Sequence, residues 1–298
     1  MTTKKNKKIG FPGILNMLIL FFAAFICIYP LYYIFINSLS TPAAIMRGIF
    51  IFPHPGDWSL EAYKNLGTIS GLWSSIVISV LRTVSGSLLT MICSSFVAYL
   101  LTNHDMPCRK FFYRAIILTM YINAGFIPYY ILVSQLGLRN NFLIYILPSA
   151  VSAYFIILIK TYIETLPASM QESAEIDGAG ILKVFLKIIL PLTKPILACI
   201  IVFAAVNQWN SWADDMFFMQ GSRARNLHCL QFLLYQKLNS NIAAAISGGG
   251  AAAGAAIKIT PTSLRMAMTF ITTLPILCVY PFMQRFFTKG IMLGAVKG

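Results

Sequence analysis

Apolar residues along this chain come in long runs broken by short polar stretches. Six runs, 14–36, 72–101, 112–133, 142–163, 196–219 and 264–287, each approach the roughly 20 residues that a helix needs to cross a bilayer. Open strands would leave backbone groups unsatisfied in lipid, so the pattern predicts an all-α integral membrane protein of six transmembrane helices. Two runs carry polar marks. Run 72–101 is rich in Ser and Thr and contains Arg82, which either lines a cavity or snorkels to an interface. Run 142–163 has Lys160 near its end.

Lys4, Lys5, Lys7 and Lys8 precede the first run, as basic residues precede the apolar core of a secretory signal. Such cores span about 7–15 residues. Run 14–36 is longer and lacks a convincing small-residue cleavage site, so an uncleaved first span is expected, after a basic segment 1–13. With the N-terminus inside, segments 1–13, 102–114, 160–195 and 285–298 carry 14 Lys and Arg, against seven in the opposite loops. The bias predicts an N-in/C-in orientation for a single membrane domain, 14–298. It also accounts for the net charge of +14 without any nucleic-acid partner.

Composition agrees with the runs. The chain is 58% hydrophobic and 11% charged, where soluble domains are about a quarter charged, so no large soluble domain fits beside the spans. None of the six cysteines forms a CxxC pair, and four lie in apolar runs, which excludes a zinc signature or a disulfide framework.

The nine acidic residues are unevenly placed. Glu172, Glu175 and Asp177 fall within "QESAEIDGAGILKVFLKIILP", residues 171–191, with Glu164 just upstream. Pro167 suits the first turn of a helix running to about Asp177. Gly178 suits the left-handed residue that ends one. Ile181, Leu182, Phe185, Leu186 and Ile189 then recur at helical spacing, predicting an amphipathic helix up to Pro191. An ordered acidic helix, a turn and an apolar stripe on the cytoplasmic side point to a docking element for a cytoplasmic partner rather than a solvated loop.

These residues resemble the "EAA" loop of permease subunits in binding-protein-dependent ABC importers. Glu172-Ser173-Ala174, three residues, Gly178, nine residues and then Ile188-Ile189-Leu190-Pro191 reproduce its spacing, with Ser173 replacing an alanine. "EIDGAG" is similar to the sugar-importer form, "FVAYLLT" resembles the end of the matching span, and "YPFMQRFFTKGIMLGAVKG" resembles the C-terminus of maltose-type (MalG-like) permeases and their relatives in the LplC/YtcP and alginate groups. The resemblance covers essentially the whole chain. It implies a type I ABC importer (MetI-like) permease fold, multi-pass in the bacterial cell membrane. It implies a second homologous permease, two copies of an ABC ATPase, an extracellular solute-binding protein and a carbohydrate substrate as partners. ATP and Mg would bind the ATPase, so this chain would hold no cofactor. The coupling loop is 164–195. Glu172 is then the charged contact and Asp177 belongs to the same loop. Ser173, Ala174 and Ala179 are close-packing positions, Gly178 is the turn, and Ile188, Leu190 and Pro191 anchor the loop. The tail 288–298, with Gly294, Lys297 and Gly298, would also reach the ATPase.

No chemistry of its own is expected. Gly249 and Gly254 have the separation of a phosphate-binding loop, but Ala255 stands where its Lys would be. His54, His104 and His228 are scattered, and no catalytic or metal motif occurs. For the solute pathway, "VNQWNSW" sets carboxamides beside indoles. Asn207, Gln208, Trp209 and Asn210 are candidates to line it, with Tyr121 and Asn123, because amides bond hydroxyls and aromatic faces cover C–H faces. The alternative is an interfacial Trp belt, to which Trp212, Asp214 and Asp215 are assigned. Outer loop 220–263 is Gly/Ala-rich, which suits a flexible connector, while the resemblance to maltose-type permeases implies a probe of the binding protein. The competing function is an ATP-independent secondary transporter of a small polar solute, for which an acid deep within a span would be expected.

Overall fold

The computed structural model describes residues 11–48, 52–224, 226–246 and 261–295. It is mostly helical, the only strand-like pairing among these residues being a bridge between Ser40 and Trp58. In chain order the helices are α1 (Phe11–Ser38), α2 (Pro42–Arg47), α3 (Glu61–Leu66), α4 (Leu72–Leu100), α5 (Arg109–Tyr121), α6 (Phe126–Gln135), α7 (Ala153–Ile163), α8 (Ser169–Ile176), α9 (Ile181–Val184), α10 (Leu190–Leu192), α11 (Lys194–Asn210), α12 (Ala213–Phe218), α13 (Leu230–Ile246) and α14 (Pro261–Ala295). Three stretches, Pro12–Ser38, Leu72–Leu100 and Thr262–Pro281, are long and apolar enough to cross a membrane. Counting each of two bent helix pairs as one span raises this to five.

The chain forms two compact units. One comprises 1–69 and 237–273. Here Phe35 of α1 packs on Phe270 of α14, ring centroids 4.9 Å apart. Ser38 Oγ and the Tyr63 hydroxyl lie 2.7 Å apart, and burial raises the Tyr63 pKa against the opposing pull of that bond. Arg47 pairs with Asp57 at 2.7 Å. The apolar side chains of α1 from Ile14 to Ile28 point largely outward, as expected of a helix that meets lipid or a partner.

The other unit, 70–236 and 274–298, is organised around α4. Its buried face is small and polar: Ser75, Ser79, Arg82, Gly86, Thr90 and Ser94 recur every three or four residues. Lipid gives apolar side chains no reason to associate, so membrane helices approach through small residues and hydrogen bonds. α7 and α11 use this face. At its far end Ala98, Tyr99 and Leu101 join Ile156, Ile159, Leu197 and Ile200 in an apolar core.

Several predicted helices are interrupted. Run 112–133 bends by 117° between α5 and α6, where Gly125 takes φ +82° and Asn123 Oδ1 accepts its N–H. Run 142–163 is not one helix. A 3₁₀ turn at Phe142–Tyr145 is followed by irregular chain through Pro148, and only α7 is α-helical. The backbone groups released there are satisfied by α4: Thr90 Oγ1 donates to the Ser149 carbonyl at 2.7 Å, and the Ser152 N–H donates to Ser94 Oγ at 3.2 Å. Run 196–219 stops at Asn210 because Ser211 is extended, and α12 starts anew. Part of the expected outer connector, Leu230–Ile246, is helix α13, while 247–260 lies outside the described residues.

Candidate functional site

The acidic segment is a short helix closed by a built turn. α8 begins at Ser169, two residues after the expected Pro167. Asp177 follows it, and Gly178 takes φ +75°. The Gly178 N–H bonds the Glu175 carbonyl and the Ala179 N–H reaches back to Ala174, the pair of bonds of a Schellman stop. Ala174 and Ala179 then lie together against the apolar core of α4, α7 and α11. Their small size lets the turn sit close to the spans, which gives the Ala174–Gly178–Ala179 spacing a physical reason.

The next stretch differs from the predicted single stripe. α9 passes through a π turn at Phe185–Ile189 into α10, and the chain bends by 85° into α11. One added residue per turn splits the apolar set. Val184, Phe185 and Ile189 are buried, and Phe185 stacks on Tyr99 at 5.7 Å. Ile181, Leu182 and Leu186 point outward. Ile188 and Leu190 pack at the core margin, and Pro191 is exposed before the bend.

What α8 presents outward is acidic. A groove of about 440 Å³ runs between it and the end of α4, lined by Asp105, Glu164, Glu172 and Glu175 among others. Lys160 neutralises Glu164 at 2.5 Å, and Gln171 donates to Glu175 at 2.9 Å. The Glu172 side chain is exposed and has no partner among the described residues. Ile176, 86% exposed, stands on the same helix. Gly294 lies in the last turn of α14, and Lys297 and Gly298 fall outside the described residues.

A second concavity, of about 560 Å³, lies between α4, α7, α11 and α12. Arg82 forms its floor, with the side chain only 3% exposed. Its Nε donates to Gln208 Oε1 at 2.9 Å, Nη1 to the Ser211 carbonyl at 3.0 Å and Nη2 to Asp214 Oδ2 at 2.6 Å. The guanidinium also lies 4.5 Å from the Tyr145 ring centroid. A charge buried this far persists only when paired and hydrogen-bonded, and here it pairs with Asp214 and donates from all three nitrogens. Gln208 completes the chain by donating to Ser149 Oγ at 2.5 Å. Gly86 permits this route: a Cβ there would stand 2.5 Å from Gln208 Nε2.

Beside it, Asp215 is fully buried. Its Oδ1 lies 2.6 Å from His228 Nδ1, and Oδ2 accepts the Cys229 N–H at 2.6 Å. The Tyr145 hydroxyl donates to the Leu227 carbonyl, and the Leu230 N–H donates to Ser79 Oγ. These bonds fasten the start of α13 to α4 and α12.

The structure sorts the proposed pathway residues. Asn207 and Gln208 line the cavity. Trp209 turns into a separate apolar groove of about 320 Å³ with Pro275 and Val279. Asn210 is exposed and accepts from Gln231. Tyr121, 82% exposed, and Asn123 lie at the α5–α6 bend and are not among the cavity's lining residues. The sequence reading placed Trp212, Asp214 and Asp215 in an interfacial belt. Asp214 instead holds Arg82 and Asp215 is buried in protein, while Trp212, still 36% exposed, stacks on Tyr235 at 4.3 Å. The available signal was the polar spacing along α4 together with a lone Arg and a distant Asp pair.

No family model matches the chain. It is 33% identical over 275 residues to the "polygalacturonan/rhamnogalacturonan transport system permease protein YtcP" of Bacillus subtilis (strain 168), covering 92% of this chain and 94% of that one. It is 34% identical over 300 residues to "Protein LplC" of the same organism, covering 99% and 98%. Among solved structures it superposes, with a TM-score of 0.79 and 29% identity, on a chain of a bacterial ABC transporter involved in import of the acidic polysaccharide alginate, over 96% of this chain and 99% of that one.

Proposed function

This chain belongs to the permease family of ABC carbohydrate importers, and on that premise we propose that it is the subunit through which a saccharide passes, driven by a separate ATPase docked on α8. The observation that carries the coupling role is the unpartnered, exposed Glu172 on a helix whose small residues Ala174 and Ala179 pack directly on the spans' core. A basic group on a partner would complete Glu172 by a charge-assisted bond. In this reading six spans run N-in/C-in, with each bent helix pair counted as one crossing and α7 completing another. The assembly comprises a second homologous permease, two ATPase copies that hold ATP and Mg, and an extracellular binding protein that delivers the sugar. Glu172, Ser173, Ala174, Asp177, Gly178, Ala179, Ile188, Leu190 and Pro191 form the coupling segment, with the tail to Gly298 as a second contact. Asn207 and Gln208 are the pathway residues best supported by the cavity they line.

Co-purification from mild detergent tests this. The wild-type chain is expected to bring down an ATPase and a second permease, and Glu172→Lys is expected to lose the ATPase at least fivefold at unchanged membrane insertion. Equal capture by both would remove Glu172 from the interface. One observation favours a second reading: buried Asp215 beside His228 is the sort of ionisable pair an ATP-independent transporter uses. Solute uptake by the chain alone in liposomes, without ATP, would establish that reading instead.

A further inference from the structure

We propose that Asp214, held in place by Arg82, receives substrate hydroxyls in the 560 Å³ cavity and makes that cavity selective for neutral saccharides over uronates. The inference rests on the carbohydrate-import reading above and concerns which sugars that route accepts.

The cavity's volume lies within the range of small-molecule sites, about 300–1,000 Å³. Two polar groups in its wall are unspent. Asp214 uses Oδ2 twice, for Arg82 Nη2 and for Ser211 Oγ at 3.1 Å, while Oδ1 has no partner among the described residues and the side chain is 27% exposed. The Asn207 amide is exposed and likewise has no partner there. Tyr154 and Phe203 add aromatic surface to the same wall. A carboxylate acceptor, an amide and aromatic faces together suit a polyhydroxylated ring, whose hydroxyls donate and whose C–H faces stack.

The arrangement of charge decides the class. Arg82 is the one cation among the described lining residues, yet its side chain is only 3% exposed, against 27% for Asp214, and each of its three guanidinium nitrogens donates a hydrogen bond. The entering solute therefore meets the carboxylate, not the guanidinium. A hydroxyl there gains a charge-assisted bond. A uronate carboxylate meets a like charge with no free cation to offset it, which is the repulsive element that discrimination requires. Arg82 acts as a positioning residue: it holds the Asp214 carboxylate through Oδ2 and leaves Oδ1 for a solute.

The test uses the purified transporter complex in nanodiscs, without binding protein, and two matched probes. α-1,4-Linked galactotriose and trigalacturonate differ only at C6, which is CH₂OH in one and COO⁻ in the other. Saturation-transfer NMR with titration is expected to show the neutral sugar bound at least about tenfold tighter. Asp214→Asn keeps an acceptor for Arg82 and removes the charge. It is expected to bring the two probes within about threefold, mainly by improving the uronate. A purely structural role for Asp214 would weaken both probes equally and leave their ratio unchanged, which would overturn the proposal. A wild-type preference for trigalacturonate that vanishes in Arg82→Met would also overturn it, showing that the substrate carboxylate displaces Asp214. Binding of neither probe would remove the cavity as a saccharide site. ATP hydrolysis is measured on the same preparation. A complex that hydrolyses ATP but prefers the uronate defeats the selectivity alone. A chain that prefers galactotriose yet captures no ATPase defeats the coupling reading alone.

Discussion

Replacing Arg82 by Met removes a buried charge while roughly keeping its length, and the cost can be worked from the bonds it makes. Three donors disappear, leaving Gln208 Oε1, the Ser211 carbonyl and Asp214 Oδ2 short of a partner. Breaking a buried ion pair from one side costs about 3–5 kcal/mol, because the remaining charge stays buried alone. Asp214 is 27% exposed, so water recovers part of this, and about 2–3 kcal/mol is expected. At roughly 2–4 °C per kcal/mol the melting temperature should fall by about 4–12 °C. Cys199 and Cys229 are buried and report unfolding when a thiol-reactive dye reaches them. Cys27, Cys108 and Cys278 are exposed and would be changed to Ser to lower the background. The decisive variant is the double one. Asp214→Asn in the Arg82→Met background removes the stranded charge, so it should recover about 1–2 kcal/mol. A double variant less stable than Arg82→Met would refute the view of Arg82 and Asp214 as a mutually dependent pair.

Gly86→Ala drives a methyl to 2.5 Å from Gln208 Nε2, so Gln208 must leave Arg82 and Ser149. A loss of about 2 kcal/mol is expected in the same dye assay, with partial rescue by Gln208→Ala. An unaffected Gly86→Ala would mean that the approach is not close. Ile176→Ser changes an 86% exposed side chain and should leave the melting temperature within about 1 °C while weakening ATPase capture. Unchanged capture would place Ile176 outside the docking face.

What could be read from the sequence was whatever local chemistry decides. The long apolar runs of α1, α4 and α14 announce themselves, and a glycine after an acidic helix is a stop wherever it occurs. The breaks were harder because Pro148 and Gly125 mark where a helix can end but not what takes up the backbone groups it releases. Residues 146–152 are not helical around Pro148, and Thr90 and Ser94, more than fifty residues upstream, take up the Ser149 carbonyl and the Ser152 N–H there. Arg82 looked ambiguous for the same reason, since its partner Asp214 is 132 residues away. Asp214 and Asp215 read as a helix-end pair facing an interface. Only the bend at Ser211 turns Asp214 toward Arg82 and leaves Asp215 to His228. The apolar stripe after Ile181 was correctly seen as apolar but given a regular period that the π turn at Phe185–Ile189 breaks.

α4 joins the two candidate sites. Seventeen residues separate Arg82 from Tyr99, about 25 Å along a helix. At one end α4 holds the cavity through Arg82, and at the other Tyr99 stacks on Phe185 of the segment that follows α8. α11 runs between the same two places, with Leu197 and Ile200 in the apolar core and Gln208 in the cavity. Between these points Gly86 lets Gln208 of α11 approach α4, and Thr90 and Ser94 of α4 bond the chain that leads into α7, contacts that tolerate little sliding. Flexible apolar side chains there would let either end repack by itself. A close polar seam does not, so a displacement imposed on α8 and its turn would reach the Arg82–Asp214 pair as movement of two fastened helices. The serines and threonines of α4 thus serve two needs with one face: they hold a membrane protein together where lipid offers no hydrophobic drive, and they keep the distance between the docking helix and the cavity fixed.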